Sequence, residues 1–192
     1  MKLTELSAQE KVDLIFALYE KYGREDYIGE PVSQIEHMCQ AAQLAEQENQ
    51  PSEVVLAAFF HDIGHLFAHL SPTESMGGFG SKRHEQIGSD YLLELGFSNK
   101  LAKLVENHVQ AKRYLTYKFP EYLNRLSEAS LHTLGYQGGP MSPEEAEDFE
   151  RDPLFELSLK MRTWDEEAKL ENLPLPDLKP YRDIALELLT KK

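Results

Sequence analysis

A chain of 192 residues is long enough for one well-buried domain and short for two, and 41% hydrophobic with 28% charged residues is globular rather than disordered composition. Twenty Lys and Arg against 33 Asp and Glu leave a net charge of −13, which disfavours nucleic acid and anionic membrane as partners and obliges any anionic substrate to meet a local cluster of positive charge. A single cysteine, Cys39, excludes an internal disulfide and a thiolate zinc site, and the N-terminal MKLTELSAQEKVDL has no apolar signal-peptide core, so the expectation is one cytoplasmic domain over 1–192.

The periodicity is helical almost throughout. Val12, Ile15, Phe16 and Tyr19 mark a helix over 9–22, closed by a turn at Gly23. A second is expected from about Val32 to Glu48, before Pro51. Ser52 then reads as the N-cap of a third, which carries the apolar run 54–60 into the adjacent pair His61-Asp62, with Gly64 marking its end. Residues 71–83 are too rich in Gly, Ser and Pro to be helical. Helices resume over His84–Leu95, with Gly96 as C-cap, and over 98–115. Pro120 opens a helix to about Tyr136, closed by Gly138-Gly139-Pro140. Ser142-Pro143-Glu144-Glu145 is a capping box, and Asp152-Pro153 repeats the cap-then-Pro pattern before a helix carrying Asp165. A last helix covers roughly 179–190. With alternating patterns scarce, the fold class is all-α, with about eight helices.

Several polar side chains interrupt apolar stripes. His37 lies among Ile35, Met38, Ala41 and Leu44; His108 among Leu101, Leu104 and Val105; Asp165 continues Leu154, Leu157 and Met161. A lone histidine on such a face is more often a hydrogen-bonded core residue than a ligand. Six chemistry-bearing residues on separate segments (His37, His61, Asp62, His84, His108 and Asp165) instead describe a shared internal metal site, and a buried carboxylate needs such compensation. Asp62 has two oxygens and could bridge two ions roughly 3.5–4 Å apart, whereas His61 serves one. Imidazole and carboxylate donors suit iron, manganese, zinc, cobalt or nickel. His69 reads as helix end or loop and His132 as surface.

By helical arithmetic His65 falls one turn after His61, Lys112 one turn after His108, and Arg162 just before Asp165, while Ser130 and Thr133 share a face. Two cations, an imidazole and two hydroxyls are what a tetrahedral oxyanion such as phosphate or phosphonate requires.

The series His37…His61-Asp62…His84…His108…Asp165 resembles the HD-domain superfamily of helical metalloproteins, most of them phosphohydrolases, and a metal-dependent phosphohydrolase is the alternative reading. The segments Tyr27-Ile28-Gly29-Glu30, Ser75-Met76-Gly77-Gly78-Phe79-Gly80, 108–115, 126–130 and Gln137-Gly138-Gly139 make nearly the whole chain similar to the HD-domain mixed-valent di-iron oxygenases that cleave carbon–phosphorus bonds. That resemblance implies an HD-domain helical bundle and two Fe ions in an Fe(II)/Fe(III) pair, with O2 as co-substrate. One iron would be held by His37, His61, Asp62 and Asp165, the other by Asp62, His84 and His108. It implies Tyr27 as a cap displaced by substrate, Glu30 against a cationic nitrogen, and His65, Lys112, Ser130, Thr133 and Arg162 around the phosphonate. The implied substrate is a small 1-hydroxyphosphonate with a 2-amino or 2-trimethylammonio group, giving phosphate and glycine or glycine betaine. Oligomeric state is left open.

Overall fold

In the computed structural model, which describes residues 3–27, 29–67, 69–70 and 74–191, the helical periodicity resolves into ten α-helices. These are α1 (Ala8–Tyr22), α2 (Gln34–Gln47), α3 (Ser52–Phe60), α4 (Ile63–Phe67), α5 (His84–Leu95), α6 (Asn99–Lys118), α7 (Glu128–Tyr136), α8 (Pro143–Glu150), α9 (Phe155–Glu167) and α10 (Lys179–Thr190). Two 3-10 helices, Leu3–Glu5 and Pro120–Arg125, complete the set. Among the described residues extended pairing is limited to the bridges Asp26–Ser33 and Ser75–Ser81. No described helix is long and apolar enough to cross a membrane.

Local chemistry sets the helix starts. Ser7, Ser33 and Ser142 each accept a hydrogen bond from the backbone N–H three residues on, while Glu10, Glu36 and Glu145 bond back to the serine N–H. Each such box satisfies donors that a helix start leaves unpaired. Gly96 closes α5 in a left-handed C-cap, as expected.

Besides end shifts of one to three residues, as in α6, which runs on to Lys118, four boundaries differ from the sequence expectation. Pro51, not Ser52, is the N-cap of α3, and no side chain caps that end. The expected helix from Pro120 to Tyr136 is broken, because Leu126 is extended (ψ 141°) and the Ser127 hydroxyl accepts from Ser130 N at 3.2 Å, capping a new helix. Asp152 does not start α9. Its carboxylate accepts from Leu154 N at 2.8 Å in a turn, and the helix begins at Phe155. The helix through the run 54–60 stops at Phe60, and a turn at His61-Asp62 leads into α4. The described residues thus form ten α-helices where about eight were expected, the break after Phe60 adding α4 and the break at Leu126 leaving a 3-10 helix ahead of α7. Residues 71–73 of the expected loop lie outside the described residues; 74–83 are non-helical.

The core is built around α3, whose residues 54–60 are all buried. It packs on α2, α6, α9 and α10. Phe59 stacks between Tyr19 and Tyr181, with centroids 4.6 Å away in each case, and the Tyr19 hydroxyl donates to Phe59 O at 3.1 Å. Each such aromatic contributes roughly 1.5–3 kcal/mol of burial energy. This wedge delivers His61-Asp62 to the middle of the molecule, with α2, α5, α6 and α9 around it.

Gly64 makes the crossing of α4 and α5 close. A Cβ there would lie 1.9 Å from the backbone oxygen of His84, a clash that backbone cannot relieve without moving His84. Gly64→Ala should therefore lower stability by several kcal/mol, on the scale of core overpacking. Gly135→Ala, on α7 with open space at its Cβ, should raise it by about 0.5–1 kcal/mol through helix propensity. Urea melts of the two variants test this; equal effects would contradict it.

Candidate metal and anion site

Four helix faces and one turn bring together the six residues picked out by their placement. His37 projects from α2, His61 and Asp62 from the turn after α3, His84 from the start of α5, His108 from α6 and Asp165 from α9. All six are at least 97% buried.

They divide into two groups that share Asp62. The Nε2 atoms of His37 and His61 are 3.0 Å apart, and lie 3.6 and 3.5 Å from Asp62 Oδ2 and 3.3 and 3.8 Å from Asp165 Oδ1. The Nε2 atoms of His84 and His108 are 3.1 Å apart, and lie 3.2 and 3.4 Å from Asp62 Oδ1. One carboxylate thus offers one oxygen to each histidine pair.

The far side of every ring fixes its proton. His37 Nδ1 lies 2.9 Å from Ala168 O, His61 Nδ1 2.8 Å from Ala58 O, His84 Nδ1 3.3 Å from Ser81 O and His108 Nδ1 2.6 Å from Val105 O. A carbonyl only accepts, so each Nδ1 donates and each ring turns its Nε2 inward, a lone pair wherever the ring is neutral. Facing lone pairs 3 Å apart repel unless a cation lies between them. Asp62 Oδ2 is buried with no hydrogen-bond partner, and a metal ion there would satisfy it. Burial lowers the His61 pKa, but Asp62 and Asp165 outweigh it and raise the group to about 9, so the centre favours positive charge. Burial likewise works against the Asp62 carboxylate, yet the surrounding histidines, His61 foremost, hold it well below the usual range. The triads His37-His61-Asp62 and Asp62-His84-His108 each have donor atoms close enough for one ion, and this nitrogen and oxygen set fits two metals.

A cavity of about 60 Å³ opens onto this centre, lined by Asp62, His84, His108 and Asp165 on one side and by Lys112, Ser130, Thr133 and Arg162 on the other. Lys112 is buried and donates to Thr133 Oγ1 at 3.1 Å. Burial, then Arg162, pushes its pKa down to about 7. His65 Nδ1 accepts from Ser81 N at 3.0 Å, which leaves Nε2 as the donor. Burial and then His84, stacked at 4.0 Å, hold its pKa well below the ordinary imidazole value, so it stays neutral. Gly80 makes that bond reachable: its φ is +98°, and a Cβ there would lie 2.6 Å from the His65 ring.

Arg162 is more committed than helical arithmetic indicated. Nη1 pairs with Asp165, Nε donates to Glu166 at 2.9 Å and to the Tyr122 hydroxyl at 3.1 Å, and Nη2 reaches Ser130 Oγ at 3.4 Å. The guanidinium ties a candidate ligand to the anion wall. Tyr27 is half-buried and stacks on His37 with centroids 4.3 Å apart. Burial, then Asp62 and Asp165, raise its pKa well above 10, so the phenol keeps its proton. Glu30 also lines the cavity, but its Oε1 lies 2.6 Å from Lys169 Nζ and accepts from Ser127 Oγ. His69 stacks on Tyr22 in a turn, 3.0 Å from Glu25, and His132 is exposed beside Phe79.

Sequence reasoning missed Lys169, Tyr122 and Glu166, and named Met76 and Phe79 only within a matching segment, without their place in the cavity wall. Glu166 sits four residues after Arg162, a spacing that signals an ion pair. Tyr122 and Lys169 lie outside the α-helices and carry no such signal.

Known proteins resemble this chain over most of its length. The HD domain model matches residues 35–150, a span that holds five of the six central residues and stops before Asp165. The chain is 38% identical over 189 residues to the [1-hydroxy-2-(trimethylamino)ethyl]phosphonate dioxygenase (glycine-betaine-forming) of Leisingera caerulea, covering 98% of this chain and 95% of that one. It is 35% identical over 172 residues to the hydroxymethylphosphonate dioxygenase of Gimesia maris, covering 90% and 85%. The uncharacterized protein L432 of Acanthamoeba polyphaga mimivirus is 48% identical over 182 residues, covering 95% and 83%. The chain belongs to the HD-domain family, among its phosphonate dioxygenases.

Because Lys112 sits near neutrality, its charge is lost as pH rises above about 7. Binding of methylphosphonate should weaken by up to about tenfold per pH unit between pH 7 and 9. Lys112→Arg should keep it nearly level. Calorimetric titrations check this, and a flat wild-type profile would contradict it.

Proposed function

We propose that this protein is a di-iron oxygenase that uses O2 to cleave the carbon–phosphorus bond of a small 1-hydroxyphosphonate. The observation that carries the reading is a single cavity with a carboxylate-bridged pair of histidine groups on one wall and Lys112, Thr133, Ser130 and Arg162 on the other. The substrates for which two relatives are named, both phosphonates, are of the class such a wall would take.

His37, His61, Asp62 and Asp165 would hold one iron, and Asp62, His84 and His108 the other. Bound there, a mixed-valent iron pair would supply activation of O2 for removal of the C1 hydrogen and oxygenation of C1. The chain's own residues do the rest. Lys112 as ammonium, the Thr133 and Ser130 hydroxyls, His65 Nε2–H and Arg162 Nη2 present donors to the three phosphonate oxygens. Fixing phosphorus in this way turns C1–H toward the metal wall, and orientation of that kind contributes several kcal/mol to a barrier. Tyr27, stacked on His37, must move aside for the 1-hydroxyl group to approach. Met76, 1% exposed, and the Phe79 ring line the same cavity and keep bulk water from it.

The reaction balances without an external reductant. The C1–H and C–P bonds break, one oxygen atom of O2 enters the carboxylate and the other the phosphate, and the substrate supplies all four electrons. A 2-amino or 2-trimethylammonio substituent would give glycine or glycine betaine, and no substituent would give formate.

The test is simultaneous O2 and phosphate measurement with iron-loaded, partly reduced protein and the three hydroxyphosphonates. One O2 consumed per phosphate released is the expected result. Phosphate release that continues unchanged under argon would replace the oxygenase with the metal-dependent phosphohydrolase.

A further inference from the structure

Glu30 is the carboxylate that would face a cationic substituent, yet three features cancel its charge. Lys169 Nζ lies 2.6 Å from Oε1. The Ser127 hydroxyl donates to the same oxygen and also lies 3.4 Å from Lys169 Nζ. Ser127 is the N-cap of α7, so Glu30 sits at the positive end of that helix. The pair is almost buried, with side-chain exposures of 6% for Glu30 and 16% for Lys169, so water screens it little.

Lys169 is held in place from both sides. Ala168 O accepts from His37 Nδ1 at 2.9 Å, and the Gln40 amide closes two 2.9 Å hydrogen bonds with the backbone of Leu170. The residue that neutralises Glu30 is therefore built into the strap behind a candidate metal ligand, and the ammonium starts from a fixed backbone. Of the other charges lining the cavity, Lys112 and Arg162 are positive, Asp62 and Asp165 face the histidines, and Asp26 is exposed at the mouth, where solvent screens it. None offers a substrate cation an unpaired buried partner.

We propose that Lys169 sets substrate choice by neutralising Glu30, so that the enzyme takes 1-hydroxyphosphonates without a positive charge on the carbon chain, hydroxymethylphosphonate being the smallest. This inference rests on the C–P oxygenase reading and names its substrate class. The two named relatives act on a quaternary-ammonium phosphonate and on hydroxymethylphosphonate, so overall identity does not choose between them. The Glu30–Lys169 pair does.

The experiment compares hydroxymethylphosphonate with its 2-amino-ethyl and 2-trimethylammonioethyl counterparts. Each is titrated anaerobically into iron-loaded protein by calorimetry, then assayed for O2-dependent phosphate release. Wild type should favour hydroxymethylphosphonate in both readouts by on the order of tenfold. Lys169→Met should improve binding of the two cationic substrates by a similar factor and leave hydroxymethylphosphonate nearly unchanged. Lys169→Arg keeps the charge and should keep the wild-type order, which separates loss of charge from loss of fold. Tighter wild-type binding of a cationic substrate, or a Lys169→Met effect equal across all three, would overturn the proposal while leaving the oxygenase reading intact. No turnover of any of the three would refute the oxygenase reading and this inference with it.

Discussion

The arrangement depends on the burial of one carboxylate. Asp62 is 1% exposed, shares its two oxygens between two histidine pairs, and keeps one oxygen without a hydrogen bond. A buried anion of this kind is costly unless positive charge reaches it. Each of the four imidazoles has its Nδ1–H on a backbone carbonyl and turns Nε2 toward the carboxylates, and the pull of Asp62 and Asp165 on His61 shows that positive charge is favoured there. Metal ions bound between the histidine pairs would resolve the conflict at both oxygens at once. The tight crossing at Gly64, the aromatic wedge of α3 and the strap at Ala168 all serve to hold that geometry.

The same electrostatics explains the anion wall. A protein of net charge −13 repels phosphonates at long range, so the attraction must be local and buried. Burial brings the Lys112 pKa down to about 7, and Arg162 pairs with Asp165 and Glu166. Arg162 therefore works on both sides, orienting Asp165 with one nitrogen and reaching the Ser130 hydroxyl with another. Metal centre and anion wall form a single network of charges.

Much of this was legible in the sequence because helices impose a period. His37, His108 and Asp165 stood out as polar residues in apolar stripes, and Ser-x-x-Glu announced α8 at its true first residue. His84–Leu95 and 179–190 were readable to the residue. What lay between periodic segments was not. Ser127 inside an apparently continuous helix looked unremarkable until its hydroxyl was seen to cap a new one. Glu30 and Lys169 are 139 positions apart, and nothing local marks either as the partner of the other. Without the family resemblance, Tyr27 and Glu30 read as ordinary loop residues; tertiary packing alone places them at the cavity.

The central claim is that Asp62 bridges two metal ions. X-ray absorption on iron-loaded protein tests it most directly. The account predicts two irons per chain and an iron–iron scattering vector of about 3.5–4 Å, lost in Asp62→Asn. One iron per chain, or two without a shared vector, would contradict it.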